Sequence, residues 1–340
     1  MLGAGRLPLF MGLAYALECS SLLYSAPMAS RFPRNLVEFE RRFRSSEDCL
    51  KYLDRIRWAK GFRCPRCACL KSWCGADGSR LCWKCGNRVS VTAGTIFHRS
   101  HLSLHLWFRA IWWFTNQKPG LSALSLQRAL GLGSYRTAWL CLHKLRSAMV
   151  RPNRNRLGGA VEVDETLIGG RRKGGAGRAT GFHALVAIAV EIRRKGMGRI
   201  RLERIADATR TQLHGFIRRT VVEGSPVVTD GWRAYEALEP RHPHQRHAVD
   251  GSRDAATAAL PRAHRVASLL KRWLLGIHQG RVSPEHLDAY LEEFAFRFNR
   301  RSSPHRGQLF FRLVEQACCV GPLPYKSLVK ENRRAILRLT

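Results

Sequence analysis

Two short cysteine pairs constrain this chain more than any other feature. Cys64-Pro65-Arg66-Cys67 and Cys82-Trp83-Lys84-Cys85 are CxxC knuckles with 14 residues between them. Each knuckle is a tight turn that aims both sulfurs inward, and the spacer is long enough for a hairpin that lets the two turns face each other. Four thiolates so arranged fill the tetrahedral shell of a zinc ion and leave no open position, which makes the metal structural. The segment is too small to bury a core, so Zn²⁺ binding supplies its folding free energy. A redox role for either pair lacks the βαβ surroundings it would need. Cys69 and Cys74 fall between the knuckles as spare ligands, but four sulfurs already complete the shell. The basic residues Arg63, Arg66, Lys71, Arg80, Lys84 and Arg88 decorate the same segment and suit phosphate contact.

Charge narrows the partner. The 340 residues carry 58 Lys and Arg against 25 Asp and Glu, a formal net charge of +33. Such a surplus repels itself until a polyanion neutralises it, and nucleic acid is the usual one because counterions are then released. The arginine-rich stretches at 31–44, 151–156, 171–178, 193–204 and 297–306 spread the surplus along the chain, as a long nucleic-acid path would require. Seven further cysteines, including Cys19, Cys49, Cys141, Cys318 and Cys319, form no disulfide framework. Together with the zinc knuckles they point to a reducing compartment; with the charge, a cytoplasmic, nucleoid-associated protein is expected. Residues 7–17, LPLFMGLAYAL, form an apolar run that is too short to span a membrane. Two readings stand: a signal peptide, or a non-essential extension over residues 1–30. The second agrees with the zinc knuckles and the charge.

Periodicity predicts helices over 31–60, through Leu36, Phe39 and Phe43 and then a start at Ser46, and over the aromatic stretch 101–117. Residues 121–149 read as two helices broken at Gly131-Leu132-Gly133-Ser134, the outline of a helix-turn-helix. Arg136, His143, Lys144 and Arg146 on the second helix are its candidate DNA contacts. An ordinary packed helical pair fits the same pattern. Residues 151–159 read as a linker, and the stretch 169–178 as a basic loop without the ending of a nucleotide-binding loop. Strands are expected at 161–164, 184–191, 199–206 and 226–230, with helices at 209–222 and 285–301, giving a mixed α/β domain.

Two carboxylates stand out by position. Asp164 closes the strand Val161-Glu162-Val163-Asp164, and Asp230 closes Val227-Val228-Thr229-Asp230. Taken singly, an aspartate at a strand exit is most often a turn residue. Taken together, two such carboxylates can converge in a sheet and bind a pair of Mg²⁺ ions about 4 Å apart, poised on a phosphodiester.

Several stretches read jointly give a family resemblance. They are FPRNLVEFERRF, GFRCPRC, ALGLGSYRTAWLCLHKLRSAM, VEVDETLIGG, VVTDGW, HRVASLLKRWLLG and YLEEFAFRFNRR. The chain from Phe32 to Arg301 resembles bacterial insertion-sequence DDE transposases of the ISXO-like group. The resemblance implies an RNase H-like α/β fold, a mixed sheet with helices, preceded by a zinc ribbon and a helix-turn-helix. It implies Mg²⁺-dependent strand cleavage and strand transfer, with catalytic, magnesium-binding roles for Asp164 and Asp230 and a phosphate-binding role for Lys271. It further implies that the ribbon and helix-turn-helix bind the terminal inverted repeats of double-stranded DNA. Two ends must be held together, so a homodimer or larger assembly on DNA is expected, with no membrane partner.

The layout then reads as an extension at 1–30, a helical lead-in and zinc ribbon at 31–96, and a helix-turn-helix region at 97–150. A catalytic domain follows at 158–310, and a basic tail at 311–340. One departure stands out. The family's third, polar catalytic residue is expected directly after Ser268, where this chain has Leu269, which cannot ligate a metal. On that reading this copy is impaired, a DNA binder with a decayed nuclease domain is the alternative, and Leu269→Asn would raise cleavage.

Overall fold

The computed structural model describes residues 32–150, 154–169, 184–194, 196–238, 241–247, 259–279 and 282–328, residue 76 excepted. The apolar run at 7–17 and most of the basic loop at 169–178 lie outside them. The chain forms two units, one built from residues 1–152 together with 303–340, the other from 153–302.

The first unit begins with helices α1 (Leu36–Arg42) and α2 (Ser46–Arg57). Asn35 caps α1 by accepting from the Glu38 N–H, and Ser45 and Asp48 close a reciprocal capping box on α2. Strands β1 (Ser72–Cys74), β2 (Arg80–Cys82) and β3 (Arg88–Val89) form an antiparallel ribbon. Helices α3 (Leu104–Asn116), α4 (Ala123–Leu130) and α5 (Tyr135–Ala148) follow. Gly131 ends α4 at φ 63°, a left-handed cap that glycine adopts at least cost.

A last helix, α9 (Arg306–Cys319), completes this unit. Part of it was expected in the catalytic domain and the rest in a tail. Its apolar stripe decides otherwise, because Leu309, Phe310, Leu313 and Val314 are buried among the helices of the first unit. Phe310 is the hub of an aromatic cluster, with ring centroids 5.6 Å from Phe39 and Phe43, 5.7 Å from Phe108 and 5.8 Å from Trp112. Gly307 permits the approach: a Cβ there would lie 1.6 Å from the Pro33 carbonyl oxygen.

The helix pair α4–α5 forms as expected, but its surface differs. His143, Lys144 and Arg146 are buried, with Lys144 Nζ 5.9 Å from the Trp107 ring and the Arg146 guanidinium 5.8 Å from Phe114. Burial pushes the Lys144 amine below its ordinary value. Of the four candidate contacts only Arg136, at the exposed first turn of α5, faces outward, and it lies over the Tyr325 ring.

The second unit contains β4 (Val161–Ile168), β5 (Ala184–Arg193), β6 (Gly196–Ile205), α6 (Arg210–Thr220), β7 (Val227–Asp230), β8 (His244–His247), α7 (Pro261–His278) and α8 (Pro284–Phe298). The sheet order is β6-β5-β4-β7-β8, antiparallel among the first three strands and parallel from β4 through β7 to β8. The central strands β4 and β5 are largely buried, with α6 on one face and α7 and α8 on the other. Strand β8 was not foreseen, since His244-Gln245-Arg246-His247 has no apolar alternation. Part of the expected linker is also structured. Leu157 is buried and exchanges backbone hydrogen bonds with Thr220 and Val222 at 2.7 and 2.8 Å.

Truncating the aromatic hub would leave a cavity. Phe310→Ala is expected to cost about 3–5 kcal/mol of the first unit's stability in urea unfolding.

Candidate active site and zinc centre

Strand β4 divides its side chains between two cores. Val161 and Val163 pack with α6, whereas Ile168, of the opposite parity, packs with α7 and α8. Glu162 and Asp164 therefore share the α7 face. On β7, Val227 belongs to the α6 core and Val228 to the α7 core, so Asp230 also lies on the α7 face. The parallel ladder pairs Val161 with Val227 and Glu162 with Val228; Asp164 and Asp230 each lie two residues beyond it, near enough for the Asp230 charge to act on Asp164. The two aspartates share one sheet face because equal strand offsets carry both there.

Helix α7 closes the site. The Glu162 carboxylate is 2% exposed and accepts from the Arg262 and Ala263 backbone N–H groups, both at 2.8 Å, and from Arg262 Nη1 at 2.9 Å. An acidic group at a helix N-terminus meets free N–H donors and the positive end of the dipole. This anchor fixes where the next residues of α7 fall. His264 Nε2 lies 3.6 Å from Asp164 Oδ2. Seven residues on, two turns along the same helix face, the Lys271 charge acts on Asp164 as well.

Leu269 does not belong to this face. It lies five residues beyond His264, about 140° round the helix, and packs against the apolar core of α7 and α8. The α7 side chain that meets Asp164 is His264, not Leu269. Its signal was present in the sequence, one turn before Ser268, in phase with Lys271.

Burial pushes the Asp164 carboxyl up to about 6, with the charges of Asp230 and Glu162 adding to the rise and Lys271 opposing it. Asp230 accepts from the Trp232 backbone N–H at 3.0 Å and, among the described residues, forms no ion pair. A cluster that raises one of its own members by like charge is an arrangement a divalent cation relieves. Its oxygen donors fit Mg²⁺. Glu165 points to the opposite face, where the buried Tyr235 hydroxyl donates to it at 2.5 Å. Burial takes Glu165 up to about 7, against the lowering effect of that hydrogen bond. Neither Glu165 nor Tyr235 was singled out from the sequence; each looks like an ordinary residue until the sheet pairs them.

The ribbon brings Cys64, Cys67, Cys82 and Cys85 together with all four sulfurs within 4.8 Å of one another. Cys64 and Cys85 Sγ are 3.6 Å apart and Cys67 and Cys82 Sγ 3.5 Å, near the ~3.8 Å edge of a tetrahedron with Zn–S bonds of about 2.3 Å. No other group of three or more ligating residues among the described ones is so tightly gathered. Cys69 and Cys74 stand outside it, their sulfurs facing the carbonyls of Lys71 and Gly75. The four cysteines fit zinc and complete its shell.

Two segments of the chain match known domains. Residues 156–299 match the ISXO2-like transposase domain, and residues 44–91 match the transposase zinc-ribbon domain. A protein of Halobacterium salinarum, described as an uncharacterized protein in transposable element ISH50, is 27% identical over 275 residues. That alignment covers 75% of this chain and 91% of the relative. The sheet of the second unit has the strand order and directions of an RNase H-like fold, in keeping with the transposase domain it matches. Among the described residues no helix is long and apolar enough to cross a membrane.

Two substitutions test these centres. Cys82→Ser should release zinc, seen as a fall from one bound ion per chain by atomic absorption. Glu162→Ala strands the Arg262 charge and two helix N–H groups, and should cost about 3–5 kcal/mol in urea unfolding of the second unit.

Proposed function

We propose that this chain, whose residues 156–299 match the ISXO2-like transposase domain and 44–91 the transposase zinc ribbon, is a transposase that binds element ends in double-stranded DNA and catalyses their Mg²⁺-dependent cleavage and strand transfer. The observation that carries the reading is the placing of Asp164 and Asp230 at the ends of β4 and β7 on the α7 face of the sheet, with His264 Nε2 3.6 Å from Asp164 and the Lys271 charge acting on it.

Each side chain has a role. Asp164 and Asp230 would hold Mg²⁺, with His264 completing the ligand set or orienting Asp164. Bound there, Mg²⁺ supplies Lewis-acid polarisation of a phosphodiester oxygen and activation of the attacking oxygen. Lys271, solvent-exposed on the His264 face of α7, would receive a phosphate oxygen of the DNA. Glu162 acts through others, since its grip on the α7 N-terminus sets where His264 and Lys271 stand. On this reading His264 supplies the polar group from α7 and Leu269 has no catalytic part. Transposition holds two ends at once, so the active species would be a homodimer or larger on DNA.

The test mixes purified full-length protein with DNA carrying the termini that flank its reading frame, with and without Mg²⁺. Asp164→Asn, Asp230→Asn and His264→Ala should each lower nicking on the order of 10²-fold or more, with binding retained in a mobility shift. Binding without nicking by the unsubstituted chain would favour a DNA-binding protein without cleavage activity. Leu269→Asn should leave nicking no higher and lower stability by about 1–3 kcal/mol, since it places an amide against an apolar core; a gain in nicking would restore Leu269 as the deficient position.

A further inference from the structure

The zinc ribbon has two unlike faces. One is anchored: Arg80 pairs with Asp54 of α2 at 2.7 Å and lies over the Trp58 ring, and Cys82 and Val89 are buried. The strand register places a different set on the other face. Trp73 pairs with Leu81, Leu81 with Arg88, and the Trp83 N–H donates to the Lys71 carbonyl one step further along. Lys71, Trp73, Leu81, Trp83 and Arg88 therefore share a face. That face is open to solvent, with Trp73 at 56% and Trp83 at 60% exposure.

Two indoles left in water on so small a module call for an occupant. Their surroundings say which. Residues 61–91 contain six Lys and Arg and a single carboxylate, Asp77. Arg88 pairs with that carboxylate at 3.2 Å. Lys71 Nζ sits 5.6 Å from the Trp83 ring centroid, so a cation already stands beside one indole. Exposed rings interleaved with cations are how proteins hold single-stranded nucleic acid, with bases stacked on the rings and phosphates on the charges. Duplex grooves are read by polar groups at base edges, for which two indoles offer little. Diagonal neighbours across a strand pair stand about 7–8 Å apart, room for each ring to take its own base.

We propose that this outer face of the ribbon is a stacking platform for unpaired DNA bases, with Trp73 and Trp83 as the rings and Lys71, Lys84 and Arg88 as flanking phosphate contacts. The proposal goes beyond duplex recognition of element ends and holds whether or not the acidic site cleaves DNA.

Fluorescence anisotropy with a 15-nucleotide oligothymidine and a duplex of equal length tests it on the full chain. Trp73→Ala and Trp83→Ala should each weaken oligothymidine binding about 5- to 150-fold, with the salt dependence unchanged and the duplex affected less. Lys71→Ala with Lys84→Ala should instead flatten the salt dependence, by about one unit of slope for each phosphate no longer neutralised. Zinc content per chain checks that each variant keeps the ribbon. A second readout does not depend on the alanine variants folding: oligothymidine should quench tryptophan emission of the unsubstituted chain more than that of Trp73→Phe/Trp83→Phe. Equal quenching in the two proteins, or equal weakening on oligothymidine and duplex, would overturn the proposal. So would unchanged oligothymidine binding accompanied by a changed oligomeric state or by weaker binding to phosphatidylserine vesicles, which would assign the face to a second copy or to a lipid surface.

Discussion

Glu162 is a carboxylate with 2% exposure in a chain of net charge +33, and the geometry of the second unit's acidic site follows from how it is held. Removing such a group from water costs several kcal/mol unless strong hydrogen bonds replace the lost hydration. Two backbone N–H groups at the start of α7 and one guanidinium do so. The helix is thereby seated on β4 at a set rotation and height. Asp164 stands two residues along the strand from the clamp, and His264 directly follows the second of the clamped N–H donors. The approach of His264 to Asp164 at 3.6 Å is set by that seating.

The scarcity of acids makes their placement informative. Several of the carboxylates act as struts: Asp54 to Arg80, Glu191 to Arg199, Glu292 to Arg154 and Glu293 to Arg297, all at 2.5–2.8 Å. Asp164 and Asp230 have no such lysine or arginine partner among the described residues, although arginine is abundant. In a chain with more than two cations per carboxylate, two adjacent acids left for another positive charge are a chemical signature. The same contrast applies to aromatic residues. Most large rings are buried, as around Phe310, whereas Trp73 and Trp83 remain in solvent on the one module whose fold depends on metal.

Local rules carried much of the fold. The start signal at Ser46, the Gly131-Leu132-Gly133-Ser134 break and the 3.6-residue stripes placed the helices of 31–60, 101–149, 209–222 and 285–301 to within a few residues. They could not place α9. Its stripe announces a buried face but not which core receives it, and the chain returns to the first unit after 150 residues in the second. Nor could they foresee that His143, Lys144 and Arg146 would be buried, because a basic residue's stem can cover apolar surface with its charge set against a ring. Strand β8 escaped for a related reason: a polar strand is defined by its partner and not by its own pattern.

The sequence by itself determined the zinc centre, because four sulfurs in two tight turns carry their own geometry. It also placed the two strand-end aspartates and the cationic surplus of +33, through spacing and composition that no packing alters. Only the tertiary structure decided which α7 side chain approaches Asp164. Position on a helix is angular, and Leu269 and His264 exchange roles according to which face of α7 meets the sheet. The rotation is fixed by a carboxylate a hundred residues earlier in the chain, through hydrogen bonds that no local pattern encodes. The exposed indoles divide the same way: their presence is in the sequence, but that they share one open face depends on the register of β1 against β2.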